Sequence, residues 1–197
     1  NAQVKNTNIS NNMAGNNGGG VIIGNSNPTF ESVEIIGNSS ESMGGGVRAE
    51  GNSNPFMNNM VISNNSASQG GGGIWFGDNN GAILTISSST ISNNSAQYGG
   101  GIGVQGNNIS ISNSTISGNT TLVSGGSQGG GLYAVGGSVN MDRVEISDNT
   151  AASSGGSLYL QTITGSLNHI TVANNSANDN GGGLKACCGG EINIENS

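Results

Sequence analysis

Apolar residues recur along this chain at fixed intervals. An aliphatic residue is followed three positions later by asparagine at Ile9/Asn12, Ile35/Asn38, Ile62/Asn65, Ile91/Asn94, Ile116/Asn119, Ile146/Asn149 and Val172/Asn175. In step with it, a glycine run precedes a second aliphatic residue at Val21, Val47, Ile74, Ile102, Leu132, Leu158 and Leu184, 26 to 30 residues apart. Two independent marks sharing one period identify a repeated structural unit. Ahead of each aliphatic-x-x-Asn lie two further inward candidates, as in Phe30/Val33/Ile35, Met57/Met60/Ile62, Met141/Val144/Ile146 and Leu167/Ile170/Val172. The step of two reads as a strand. The step of three reads as a bend that keeps the next apolar side chain pointing inward. After the glycines, pairs such as Ile74/Phe76, Ile102/Val104 and Leu158/Leu160 predict a third strand.

The predicted fold is therefore all-β: a single-stranded parallel β-helix, or solenoid, of about seven coils of 26–30 residues with three short strands per coil, treated as one domain over 1–197. One coil offers too few apolar side chains to stand alone. Stacking at about 4.8 Å turns Ile9, Ile35, Ile62, Ile91, Ile116, Ile146 and Val172 into a ladder, each buried rung contributing roughly 1.5–3 kcal/mol. Right-handedness is expected from the general rule for parallel crossovers.

Asn12, Asn38, Asn65, Asn94, Asn119, Asn149 and Asn175 form a second column. Asparagine tolerates the left-handed conformation and bonds its own backbone. Stacked, its amides can also bond between coils and satisfy a buried corner. The glycine runs belong at another corner, with positive φ and close backbone approach. They make no phosphate loop, because no Lys-Ser/Thr follows.

These marks resemble the repeats of the chlamydial polymorphic outer-membrane proteins and related bacterial or archaeal β-helix surface proteins. That family pairs Gly-Gly-Ala plus Ile, Leu or Val with Phe-x-x-Asn. Here the counterparts are Gly-Gly-Gly-Val, -Ile or -Leu, with Ile-Ser-Asn-Asn at Ile62–Asn65 and Ile91–Asn94 and Ile-Ser-Gly-Asn at Ile116–Asn119. The resemblance spans the whole chain and departs where family Ala becomes Gly and family Phe becomes Ile. It implies a right-handed β-helix and a passenger-like rod outside the cell.

Composition sharpens the functional expectation. With 4 basic and 11 acidic side chains and a net charge of -7, the chain is ill suited to a nucleic-acid backbone. Charge is sparse at 8%, so Asn, Ser, Thr and backbone must carry solubility. Glycine, at 37 residues, lacks the every-third spacing of collagen. No segment reads as a membrane insertion. The expected function is a non-enzymatic extracellular structural protein, either a surface filament subunit or an adhesin rod. Self-association would run head to tail, the Val4 rung meeting Ile192 or Val172 of the next copy, unless the remainder of a longer surface protein takes that place.

The alternative is a carbohydrate-binding or polysaccharide-cleaving β-helix, whose groove would be built by the insertions around Asn79–Ala82 and Thr121–Gln128. Acid clustering is confined to Asp142, Glu145 and Asp148 beside Arg143. Thr115 and Thr171 occupy the Glu145 position in neighbouring repeats, so no second carboxylate is stacked there. His169 reads as a surface residue. The outward column Asn8, Glu34, Val61, Thr90, Thr115, Glu145, Thr171 is too irregular for ice binding. No cofactor, catalytic residue or metal ligand set is assigned.

Asn-x-Ser/Thr triplets begin at Asn8, Asn38, Asn64, Asn93, Asn108, Asn113, Asn119 and Asn174. Asn64, Asn93 and Asn174 are the best glycosylation candidates because they share one frame. Cys187 and Cys188 are the two cysteines, and adjacency excludes an ordinary intrachain staple. Outside the cell they are expected to be oxidised, as a vicinal disulfide or a bridge to another molecule. Two free thiols would suit a reducing compartment.

Overall fold

The computed structural model describes residues 2–77, 81–122 and 126–196. It is an all-β parallel solenoid of about seven turns. Every strand pairing is parallel and joins one coil to the next: Val4 lies opposite Phe30, Ile35 opposite Ile62, Ile62 opposite Ile91, Ile116 opposite Ile146 and Ile146 opposite Val172. Fourteen strands form one large sheet that wraps around the core.

Backbone conformation turns the corners. Where the apolar spacing is three, the second of the two enclosed residues is left-handed: Asn6, Ser32, Asn59, Ser88, Asn113, Arg143 and His169 have φ between 48° and 54°. A left-handed residue at this point rotates the chain while returning the following side chain to the interior, so the spacing of three follows directly from the bend. The coil of Phe56–Asn58 and Val61–Ser63 breaks there, whereas Thr29–Ile36 runs through it as one strand.

The second corner differs from expectation by one residue. The left-handed positions are Asn11, Gly37, Asn64, Asn93, Gly118, Asp148 and Asn174, with φ between 55° and 68°, each immediately before the ladder asparagine. The physical reason is division of labour. The preceding residue makes the turn, which leaves the ladder asparagine's side chain pointing inward where it can reach the neighbouring coils.

After that corner come two-residue strands, among them Ser39–Ser40, Ser66–Ala67, Ser95–Ala96 and Thr120–Thr121. Together they form a separate seven-stranded sheet, additional to the three strands expected per coil. Alternation is too short in two residues to be read from sequence.

The core is a continuous apolar column. Ile35, Ile62, Ile91, Ile116 and Ile146 are fully buried, as are Val47, Ala49, Ile74, Phe76, Ile102, Val104, Leu132, Ala134 and Leu158. Ile9 is only partly buried and Val172 is 38% exposed, since each belongs to an outer coil with fewer rungs stacked on it.

The first of the three positions ahead of each third-strand aliphatic residue, from Gly18 to Gly181 and including Gly71, is a glycine with φ of 62–70° that turns the third corner. The second is held by crowding instead. A Cβ on Gly72 would overlap the Gly100 carbonyl of the next coil and lie 2.5 Å from the backbone of Ser95.

Candidate functional site

The asparagine column is the most fully connected polar array in the molecule. Asn65 Nδ2 donates to Asn94 Oδ1 at 3.0 Å and to the Ile35 carbonyl at 2.9 Å. Its Oδ1 accepts from Asn38 N at 2.9 Å and Asn38 Nδ2 at 3.0 Å. All four hydrogen-bonding positions of the amide are thereby used. Asn94 repeats the set, donating to Asn119 Oδ1 and Ile62 O and accepting twice from Asn65; Asn119 does so toward Asn149 and Ile91. Asn12 donates to Asn38, and Asn149 to Asn175, so the chain of amides runs through all seven coils. Each amide from Asn38 to Asn149 spans three coils, bonding the asparagine above and the isoleucine carbonyl below. Asn38, Asn65, Asn94, Asn119 and Asn149 are buried, where such bonds have no water to compete with them.

The glycosylation candidates Asn64, Asn93 and Asn174 lie one residue earlier, at the left-handed corner, and are exposed.

Arg143 lies within the strand Leu132–Ser147 and, like Glu145, is exposed. It occupies the left-handed bend at φ 54°, its Nη2 lies 2.7 Å from Asp142 Oδ2, and its Nε donates to Asn113 Oδ1 at 2.8 Å. His169, in the same bend one coil on, places Nδ1 3.0 Å from Asp142 Oδ1. The bend, unreadable as a side-chain direction from alternation alone, gives His169 a partner. Glu145 accepts a bond from Ser147 Oγ at 3.2 Å, with Thr115 and Thr171 beside it on the adjoining coils. Among the described residues no group of three or more His, Cys, Asp or Glu is placed to hold a metal ion.

Cys187 and Cys188 stand as thiols with Sγ atoms 2.9 Å apart, Cys188 donating to Cys187. Cys188 is left-handed at φ 69°, on a stretch where the register shifts between Gln161 and Ile163. The hydrogen bond from Cys188 holds the Cys187 thiol below its ordinary value, helped by Tyr159, whose hydroxyl is 3.6 Å away, and by the charge of Lys185; burial opposes them. The Cys188 thiol is pushed up, chiefly by the same hydrogen bond. Burial, then the Cys187 contact, raises the Tyr159 phenol to about 12.

Beside the thiols runs an outward aromatic row that the sequence reading passed over. Tyr98 and Tyr133 have ring centroids 5.3 Å apart, Tyr133 and Tyr159 5.5 Å apart, and Lys185 Nζ sits 5.6 Å from the Tyr159 centroid. The signal was present: Trp75, Tyr133 and Tyr159 each stand between the two inward residues of the third strand and so must face out. The insertions at Asn79–Ala82 and Thr121–Gln128 include residues 79–80 and 123–125, which lie outside the described residues.

Comparison with known proteins agrees with the repeat. A model of the Chlamydia polymorphic membrane protein repeat matches residues 59–77, the stretch holding Ile62, Asn65, the Gly70–Gly73 run and Ile74. No curated protein and no solved structure matches the chain. No helix is long and apolar enough to cross a membrane among the described residues.

Proposed function

We propose that this chain is a non-enzymatic extracellular structural protein, a right-handed β-helix serving as a surface filament subunit or as the rod of an adhesin. The observation that carries this reading is the unbroken asparagine column from Asn12 to Asn175, which ties every coil to its neighbours through side-chain amides as well as backbone. Such cross-linking suits a mechanical element. Force applied along or across the rod is shared among many parallel hydrogen bonds, and regular paired backbone offers a protease few extended segments. The match of residues 59–77 to a surface-protein repeat supports an outside location.

The filament form predicts head-to-tail stacking of copies, the adhesin form a rod presented singly. Electron microscopy of native material at high concentration separates them: unbranched fibres one molecule wide support the filament, and monodisperse short rods remove it. Antibody labelling of intact cells tests the location common to both. Detection only after lysis would overturn the surface reading.

A further inference from the structure

On the outer face of the third-strand column, two glycines open a depression in an otherwise filled wall. Met43, Gly70 and Tyr98 are vertical neighbours, as are Trp75, Gly103 and Tyr133. The indole of Trp75 lies over both glycines, since a Cβ on Gly70 or Gly103 would collide with its six-membered ring. The result is a groove of about 360 Å³ lined by Met43, Gln69, Trp75, Gln97, Tyr98, Gln105 and Tyr133. Trp75 is 4% exposed and its Nε1, on the Gly77 side of the ring, is a buried donor without a hydrogen-bond partner among the described residues. Gln69 and Gln105 are exposed at the rim, and Gln97 Nε2 lies 3.4 Å from the Tyr98 hydroxyl.

Aromatic walls with primary amides and phenols, and no carboxylate or cation among the described lining residues, match one ligand chemistry closely. A pyranose ring presents apolar C–H faces and a rim of hydroxyls that both donate and accept. Aromatic surfaces take the former, and Gln amides and Tyr hydroxyls take the latter. The volume is within the range of small-molecule sites, about 300–1,000 Å³, and too confined for a folded partner.

We propose that this groove binds an uncharged oligosaccharide, one pyranose unit resting on the contacting rings of Tyr98 and Tyr133, above the Trp75 floor, with Gln69 and Gln105 bonding its hydroxyls. The proposal deepens the surface reading by naming what the rod would hold. A titration with purified chain is independent of where the protein resides or whether it polymerises, so its failure leaves the outcomes of microscopy and cell labelling intact.

Trp75 is the single tryptophan, so its fluorescence reports this groove alone. Cellotetraose, chitotetraose and maltotetraose would be titrated against the protein, with trigalacturonate as the acidic comparison. The expected result is a saturable emission change with at least one neutral oligomer, weakened about tenfold by Gln105→Ala and by Tyr133→Ala. Gln105 is exposed, so its variant should retain the native circular dichroism and decides the question should Tyr133→Ala misfold. Absence of saturable change with all three neutral oligomers, binding confined to trigalacturonate, or undiminished affinity in the Gln105 variant would each overturn the proposal.

Discussion

Asn94 is bonded on both sides, and removing its amide strands more than one partner. Asn94→Ala leaves Asn65 N, Asn65 Nδ2 and the Ile62 carbonyl without their acceptor or donor in a buried corner. At about 1–3 kcal/mol per unsatisfied buried group, partly relieved by relaxation, the expected loss is about 3 kcal/mol. The adjacent exposed Asn93→Gly should cost less than about 1 kcal/mol, because glycine already occupies that corner at Gly37 and Gly118. Urea denaturation of the two variants checks the contrast, and equal losses would contradict the ladder's role. The cysteines provide a second residue-level test. After reduction, limiting iodoacetamide at about pH 7.5 should alkylate Cys187 ahead of Cys188, because the hydrogen bond from Cys188 favours the Cys187 thiolate and the thiolate is the nucleophile. Peptide mapping reads the order. Glycosylation at Asn64, Asn93 and Asn174 predicts an intact mass above that of the bare polypeptide for native material.

At the scale of the element, the last three glycines of a run are not equivalent. The second, such as Gly72, faces the backbone of Ser95 and Gly100 in the next coil, which cannot yield without parting the sheet. The third, Gly73, has the same kind of neighbours but sits in a column where Ser157 already carries a side chain and remains fully buried. Gly72→Ala is therefore expected to lower stability by at least about 3 kcal/mol, and Gly73→Ala by about 1 kcal/mol or less, in thermal or urea unfolding. This ordering also explains how a repeat type with alanine at the third place and one with glycine there can share a fold. The amphipathic logic of each strand was legible from Phe30/Val33/Ile35 and its counterparts. The conformation at Ser32 or Arg143 was not, because a spacing of three specifies that the chain bends without saying which residue takes the positive φ. The same gap in information put the ladder corner one residue late and left His169 without its Asp142 partner.

For the whole molecule, charge contributes little to cohesion. The Lys5–Glu31 and Arg143–Asp142 pairs are half exposed, Arg48 is the one buried charge among the described pairs and meets a Glu50 carboxylate that reaches solvent, and the column of asparagines and the apolar core are uncharged. Raising NaCl from about 0.05 to 1 M should move the melting temperature by only about 2 °C, since screening acts on surface pairs worth about 0–1 kcal/mol. A larger fall on adding salt would show that ion pairs matter more than the amide ladder. Sequence by itself determined the repeat, its period, the inward positions and the asparagine column, because each coil must satisfy the same stacking constraint and so leaves the same residues in the same order. Tertiary structure alone decided which groups meet across coils. Trp75 and Gly103 are 28 residues apart along the chain yet adjacent in the wall, and the groove lined by Tyr98 and Tyr133 exists only because two glycines, one from each of two columns, come to lie under one indole. Periodicity constrains what repeats; a site made from departures between coils becomes visible only when the coils are stacked.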